Sequence, residues 1–298
     1  MFKRKRNEDI ALGLSGGAAQ GLGHIGALKA MEEQKVRPKY IAGTSAGALI
    51  GGMYAAGISV AEMEDIVRGI DQDEFRKLLD ITWARGSIVA GDRIEKFIRN
   101  IVGDVMIEDL EIPFIAAAVD LKTGKGFHFD SGLLVDAIRA SISIPGIFKP
   151  VVANNAYLVD GGLRQNLPLR VLRQFKPKKL IGVNIIPGPR LDFSWSQEPI
   201  QRTESGEWGE PDFIERVKEF FTGDTADKEE TPGMTYLFSH LFEIYTAQVA
   251  QAEIEQAKPD LIITLDMSEI KLWEFWRGEE AVKIGYTQAR KILEDKST

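Results

Sequence analysis

The chain has 298 residues, enough to bury a sizeable core, and its 44% apolar and 27% charged residues are an ordinary globular composition. It has no cysteine and three histidines, which excludes disulfides, thiolate metal sites and a cysteine nucleophile and disfavours a multi-histidine metal site. The net charge of −7 disfavours nucleic-acid binding. No membrane-spanning helix and no signal peptide are predicted, so we expect a soluble, cytoplasmic protein.

The first half of the sequence alternates short apolar strands with helical patterns. Strands are predicted at 9–15, 39–44, 112–120 and 126–129, and helices at 21–33, 45–56 and 133–140. The helix at 45–56 carries no charge on any face, so we expect it to be buried all round. Ser59 and Glu62 predict a capping box for a further helix. This alternation predicts an α/β fold with a mostly parallel central sheet and helices on both faces.

The amino-acid composition changes between about residues 187 and 232, where Pro, Gly, Ser and acidic residues predominate and aromatic residues are scattered. Such a long irregular stretch is typical of a lid or a disordered insertion. Before it we predict strands at 157–159 and 180–186, with Pro168 in the first turn of a helix between them. After it we predict a helix at 235–257, a strand at 260–265 and a helix at 279–293.

Gly43-Thr-Ser45-Ala-Gly47 lies between a predicted strand and the uncharged helix. In this context G-x-S-x-G indicates a nucleophile elbow, a sharp turn whose strained backbone projects the serine hydroxyl from the sheet edge. Glycine is needed at 43 and 47 because side chains there would clash. The start of the helix adds a positive dipole beneath the hydroxyl. Alone, the pattern also fits a glycine-rich turn whose serine caps the helix.

A run of small residues, from Ser15 through Gly16, Gly17 and Ala18 to Gly21, follows the first strand and opens the first helix. Its backbone N–H groups are uncovered and can converge on an anion, so beside a nucleophilic serine it predicts an oxyanion hole. The overlapping G-x-G-x-x-G at 21–26 would suit a dinucleotide. It starts six residues beyond the strand, however, and no acidic residue ends the second strand, so we disfavour that interpretation.

The third motif is Asp160-Gly161-Gly162, an acid at the end of a predicted strand followed by two glycines. An Asp-Gly-Gly turn is common and alone predicts little. Together with Ser45 and the glycine loop, Asp160 supplies the base that the nucleophile lacks.

In this order, the three motifs resemble those of the patatin-like phospholipase family of serine lipid acyl hydrolases, its bacterial members above all. The family's oxyanion motif is similar to residues 16–21, its elbow to 43–47 and its Asp-Gly-Gly motif to 160–162. Residues 118–124 and 137–146 add to the likeness, which runs from about residue 9 to 186 and returns weakly over 260–286. The resemblance implies a patatin-like three-layer sandwich with a catalytic core at 9–186, an insertion at 187–232, and a C-terminal part at 233–298 that packs on the same domain.

By this resemblance, Ser45 is the nucleophile and Asp160 is the other side chain of a Ser–Asp dyad that hydrolyses carboxylic esters of lipids. The N–H groups of Gly16, Gly17 and Ala18 hold the oxyanion. The remaining motif glycines have supporting roles: Gly21, Gly43, Gly47, Gly161 and Gly162. No metal or cofactor is implied, the partner is an acyl-ester lipid rather than a nucleic acid, and peripheral contact with a membrane stays open.

The sequence departs from the family pattern at two positions. Ala18 replaces a glycine, and Gln20 replaces an Arg or Lys that would suit a phosphate-bearing substrate. The second change gives weight to neutral esters. Two alternatives therefore stay open: a small-ester esterase or thioesterase on the same site, and a catalytically weak, regulatory lipid-binding member.

The three histidines are not needed by a dyad. We expect His24 to be a packed, hydrogen-bonded residue near the glycine loop and His128 to lie at a surface or edge position. His240 is the rival base, since Ser45, Asp160 and His240 follow the chain order of α/β-hydrolases. That fold places its elbow after several strands, whereas only two precede Ser45. Ser141 and Ser143 lack flanking glycines, so we expect them to line the site or cap a turn.

Overall fold

The computed structural model describes residues 9–79, 81–84, 87–89, 91–153, 155–185 and 234–296. The predicted insertion at 187–232 lies outside these residues. The strands are β1 (Ile10–Leu14), β2 (Tyr40–Thr44), β3 (Ile81–Ala84), β4 (Ser87–Val89), β5 (Phe114–Asp120), β6 (Gly126–Phe129), β7 (Val151–Ala153), β8 (Ala156–Asp160), β9 (Lys179–Asn184) and β10 (Leu261–Thr264). The α-helices are α1 (Gly23–Glu33), α2 (Ala46–Ala55), α3 (Val60–Arg68), α4 (Gln72–Leu78), α5 (Asp92–Val102), α6 (Leu134–Ser141), α7 (Met234–Ala257) and α8 (Gly278–Asp295).

The predicted α/β fold is confirmed. An eight-stranded sheet runs in the order β10-β9-β1-β2-β5-β8-β7, with β6 also paired to β5. Neighbours from β10 to β5 are parallel, whereas β6, β7 and β8 are antiparallel to their partners. The parallel part is the one that the strand–helix alternation predicts, and the antiparallel part was not predicted. A separate two-stranded ribbon pairs β3 with β4.

Helices cover both faces of the sheet, as predicted. Along β1, Ile10, Leu12 and Leu14 pack into the larger core, which also holds apolar residues of α1, α2 and α8. Ala11 faces the opposite way, into a second core with Ala250 and other residues of α7. This alternation follows from the two-residue period of a strand. The result is three layers, with the C-terminal helices α7 and α8 on opposite faces.

Local predictions are largely reproduced. The uncharged helix α2 is buried along nearly its whole length, and Ser59 and Glu62 form the predicted capping box at the start of α3. The segment after Pro168 differs from the prediction, because it is a 3₁₀ helix at Arg170–Phe175. Among the described residues, no helix is long and apolar enough to cross a membrane.

Candidate active site

The three sequence motifs meet at the end of the sheet where the parallel strands have their carboxyl ends. The glycine loop follows β1 and Ser45 follows β2, and since these strands are parallel neighbours, both motifs lie at their carboxyl ends. Strand β8 reaches the same place from the opposite direction. It pairs with β5 just beyond β2, so that Asp160 lies opposite Ala118 while Thr44 lies opposite Ala117. Ligands of open α/β sheets bind at this edge.

The turn at Ser45 has the strained geometry of a nucleophile elbow. Ser45 has φ 53° and ψ −122°, a conformation that non-glycine residues rarely adopt. A Cβ atom on Gly43 would lie 2.2 Å from the carbonyl oxygen of Gly47, and one on Gly47 would lie 2.3 Å from that of Leu14. These contacts require glycine at both positions. Ser45 stands at the N-cap of α2, but its side chain makes no capping hydrogen bond, which rules out the capping-serine interpretation.

Asp160 is a buried carboxylate beside Ser45. Its side chain is 1% exposed, and Oδ1 accepts a hydrogen bond of 2.7 Å from the N–H of Gly162. Burial raises the pKa of Asp160 to about 6, although the Ser45 hydroxyl and the Gly162 N–H act to lower it. In the described part of the chain, no hydrogen bond of ordinary geometry reaches Oδ2. The Ser45 hydroxyl is thus close enough to lower the pKa of Asp160, and Oδ2 of this carboxylate keeps a free acceptor.

The glycine loop corrects one prediction. The N–H of Gly16 donates to the carbonyl oxygen of Asn166 at 3.0 Å, so this amide is occupied and is not a free oxyanion donor. Within the described ranges, no hydrogen bond engages the N–H groups of Gly17 and Ala18. Ala18 has φ 44°, so it adopts the left-handed backbone that a glycine would take more easily. Only Gly17 and Ala18 remain as predicted donors.

The other motif glycines lie where the chain segments touch. A Cβ atom on Gly21 would meet that of Ala46 at 2.2 Å, so the loop packs against the residue after Ser45. A Cβ atom on Gly161 would lie 2.4 Å from the carbonyl oxygen of Ala117. Gly26, the last glycine of the G-x-G-x-x-G pattern, is covered by α8, because its Cβ atom would lie 2.1 Å from the carbonyl oxygen of Val282. This glycine is therefore not available for close approach of a pyrophosphate.

Ser141 has a defined role in holding the elbow. The N–H of Ser45 donates to Ser141 Oγ at 2.9 Å, and that hydroxyl donates to the carbonyl oxygen of Ala117 at 2.6 Å. The backbone carbonyl of Ser143 accepts from the N–H of Asp160 at 2.9 Å. The two serines thus contact opposite members of the Ser45–Asp160 pair, and both line the site as predicted. Nothing in their sequence pattern indicated these partners.

Asn166 lies between the other two motifs and was missed in the sequence. Its Oδ1 would be 2.6 Å from a Cβ atom on Gly16 and 3.2 Å from one on Gly162. Its Nδ2 is buried and, among the described residues, has no hydrogen-bond partner. The side chain therefore keeps an unused donor close to Ser45 and Asp160. In the sequence, the only feature that could have pointed to Asn166 is that it closely follows the Asp160-Gly161-Gly162 motif.

His24 and His128 have hydrogen-bond partners other than Ser45 and Asp160. Nε2 of His24 lies 2.8 Å from the carbonyl oxygen of Ser15, and burial lowers the pKa of His24 to about 4, so this imidazole is neutral. The predicted packed position near the glycine loop is confirmed. His128 is exposed on β6, as predicted, and its Nε2 lies 2.6 Å from Gln165 Oε1. Nδ1 of His240 lies 3.4 Å from Glu243 Oε2.

Gln20, which stands where a cation was expected, has a structural contact. Its side chain is nearly buried, and Nε2 donates to the carbonyl oxygen of Ile270 at 2.9 Å. This bond ties the glycine loop to the C-terminal part of the chain. In the described residues, no group of three His, Cys, Asp or Glu side chains is placed to hold a metal ion.

Comparisons with known proteins show what this chain is similar to. The Patatin-like phospholipase family model matches residues 12–173, which include all three motifs. An uncharacterised NTE family protein of Mycobacterium tuberculosis is 30% identical over 332 residues, covering 96% of this chain and 91% of that protein. Patatin-like phospholipase domain-containing protein 6 of Mus musculus is 27% identical over 290 residues, covering 95% of this chain and 20% of that protein. The crystal structure of VipD from Legionella pneumophila is 13% identical with a TM-score of 0.49, covering 97% of this chain and 67% of that one.

Proposed function

This chain belongs to the patatin-like phospholipase family, and we propose on that basis that it hydrolyses carboxylic esters of lipids with Ser45 as nucleophile and Asp160 as general base. The observation that carries the proposal is the buried Asp160 carboxylate beside Ser45 on its strained turn. A pKa of about 6 keeps this carboxylate largely ionised at neutral pH while making it a stronger base than an exposed aspartate.

Acylation uses this pair directly. Ser45 Oγ attacks the ester carbonyl carbon as its proton passes to the free Oδ2 of Asp160. The developing oxyanion accepts hydrogen bonds from the N–H groups of Gly17 and Ala18, a kind of contact worth ~2.7–4 kcal/mol per donor. When the C–O bond to the leaving alcohol breaks, Asp160 returns the proton to that alcohol. Ser45 then carries the acyl group.

Deacylation repeats the steps with water. Asp160 accepts a proton from water as its oxygen attacks the acyl carbon, and the proton returns to Ser45 Oγ as the fatty acid leaves. The Ser141 bond to the Ser45 N–H keeps the elbow in place through both halves of the reaction. No step requires His240.

The family provides the lipid part of the proposal, and the departures at 18 and 20 leave the ester class open. Ala18 already has the left-handed backbone, which favours turnover over an inactive regulatory role. The Gln20 side chain is neutral, so it offers no cation to a phosphate group, and its Nε2 already donates to the carbonyl oxygen of Ile270. A small-ester esterase on the same site stays the second candidate because of that missing cation.

The test is hydrolysis of p-nitrophenyl esters from butyrate to palmitate, together with phospholipid vesicles. We expect Ser45→Ala and Asp160→Asn to abolish turnover and to prevent labelling by a fluorophosphonate or reduce it strongly. His240→Ala is the matched control and should keep activity. Turnover that survives in Asp160→Asn, or that is lost in His240→Ala, would refute the dyad. The chain-length profile separates a lipase from a small-ester esterase.

A further inference from the structure

Three large apolar side chains form an exposed row at one end of the sheet. Leu121, Val152 and Tyr157 are 56%, 66% and 54% exposed. Val152 lies directly opposite Tyr157 in the β7–β8 pair, and the N–H of Leu121 donates to the carbonyl oxygen of Tyr157 at 2.7 Å. Cross-strand neighbours project to the same face of a sheet. The row therefore extends over β7, β8 and the residue that follows β5.

The row lies close to the candidate active site. Tyr157 and Asp160 belong to the same strand, three residues apart, which corresponds to about 10 Å of extended chain. The intervening Leu158 and Val159 are fully buried. Since β5 leads into Leu121 at the end of the sheet that holds Ser45, a flat surface resting on the row would lie at that end of the sheet, on the face of β8 opposite to the Asp160 side chain.

The surroundings of the row are cationic although the whole chain has a net charge of −7. The segments 120–126 and 149–157 contain three lysines, Lys122, Lys125 and Lys149, and one acid, Asp120. All three lysines are exposed, and in the described part of the chain none of them makes an ion pair. Asp120 is occupied within its own turn, where it accepts hydrogen bonds from the N–H of Lys122 and the hydroxyl of Thr123.

We propose that the row of Leu121, Val152 and Tyr157, with Lys122, Lys125 and Lys149, is a docking surface for an anionic lipid bilayer. The proposal rests on the proposed function and specifies how its substrate is presented. Apolar and tyrosine side chains favour the headgroup boundary, and lysines beside them attract anionic lipids. Two copies of the chain meeting through this row would bring lysines against lysines, which disfavours a second copy as its occupant.

The first experiment measures binding without catalysis. Ser45→Ala protein is co-sedimented with phosphatidylglycerol vesicles or with phosphatidylcholine vesicles. We expect binding to phosphatidylglycerol that weakens as salt is raised, and much weaker binding to phosphatidylcholine. The double change Val152→Asp and Tyr157→Asp should lower the affinity by about tenfold or more. Leu241→Asp with Tyr245→Asp, at two other exposed apolar residues, adds the same negative charge, is the matched control and should leave binding unchanged.

Charge reversal gives an independent variant. Lys122→Glu with Lys149→Glu should also lower binding by about tenfold, whereas Lys283→Glu with Lys291→Glu on α8 makes the same change in net charge and should not. Unchanged binding in both row variants, or equal loss in the control variants, would overturn the proposal. So would a wild-type dimer that the row variants convert to a monomer in sedimentation velocity, because a second copy would then be the occupant.

A soluble substrate separates the two proposals. On p-nitrophenyl butyrate, otherwise wild-type protein with either row variant should keep its rate within about twofold, while hydrolysis of phosphatidylglycerol vesicles falls in parallel with binding. If the wild-type chain hydrolyses no ester, the proposed function fails, but the binding result still decides the docking surface. A row variant that loses both soluble and vesicle turnover would contradict a role confined to docking.

Discussion

The buried Asp160 should make the folded protein less stable at neutral pH than its amide variant. The folded pKa, about 6, lies above the ordinary value of 3.8. The folded state therefore retains a proton that the unfolded chain releases, and the free energy of unfolding falls as pH rises through this interval. Asp160→Asn removes the ionisation but keeps an oxygen that can accept from the Gly162 N–H. We expect the variant to be inactive and more stable.

The size of the effect follows from the pKa shift. The change from 3.8 to about 6 corresponds to about 3 kcal/mol between the two protonation states. The penalty on the wild-type chain is below about 1 kcal/mol at pH 4, rises through pH 5, and is complete above pH 7. The stability gain of Asp160→Asn should follow the same curve, reaching about 3 kcal/mol at pH 8.

The assay is urea unfolding of both proteins at several pH values from 4 to 8. His24 acts in the opposite direction, because its lowered pKa makes the folded state lose stability as pH falls from 6.5 towards 4. Both proteins carry His24, so the difference between them isolates Asp160. Asp130→Asn, at an exposed carboxylate, is the matched control and should show no comparable gain. A difference that does not change with pH, or a variant less stable at pH 8, would refute the reasoning.

Three further predictions concern the rate and the elbow. The kcat/KM of the wild-type chain on a soluble ester should rise with pH to a plateau, with an inflection near 6, because Asp160 must be ionised; a flat profile from pH 5 to 8 would contradict this. Ser141→Ala should lower kcat by about tenfold by leaving the Ser45 N–H unsatisfied, and Ser141→Thr should restore most of it. Gly47→Ala should abolish folding or activity, since its Cβ would lie 2.3 Å from backbone, whereas Gly69→Ala, with no contact under 3.4 Å, should not.

Much of this architecture could be predicted from the sequence because local patterns determine it. Apolar runs bounded by turn residues mark β1, β2, β5 and β9, and the strand–helix alternation implies a parallel sheet. The elbow is recognisable because close backbone contacts leave glycine as the only residue for positions 43 and 47. The antiparallel pairing of β8 with β5 could not be predicted, since strand direction depends on the long connection through α6 rather than on any local signal.

Contacts between residues that are distant in the sequence could not be predicted either. Ser141 is 96 residues from Ser45, and its bond to the Ser45 amide has no signature in either segment. The hydrogen bonds of backbone amides cannot be predicted from the sequence either, because a glycine-rich loop has the same sequence whether its N–H groups are free or occupied. Gly16 was therefore predicted to be a donor, although Asn166 on a distant loop accepts its hydrogen bond. Motif reasoning locates such a loop but does not assign its individual donors.

Burial explains how the proposed Ser45–Asp160 dyad would work without an imidazole. An exposed aspartate, with a pKa near 3.8, is a weak base at neutral pH, whereas a pKa of about 6 brings Asp160 close to the ordinary histidine value of 6.5. The same low-dielectric surroundings have the opposite effect on His24, whose pKa falls to about 4 because the charged form is the one that burial disfavours in both groups. Beside one glycine loop, desolvation thus strengthens the carboxylate as a base and weakens the imidazole. Burial of Asp160 both lowers the stability of the folded protein and makes the carboxylate a stronger base. A variant that regains this stability must therefore lose the basic group.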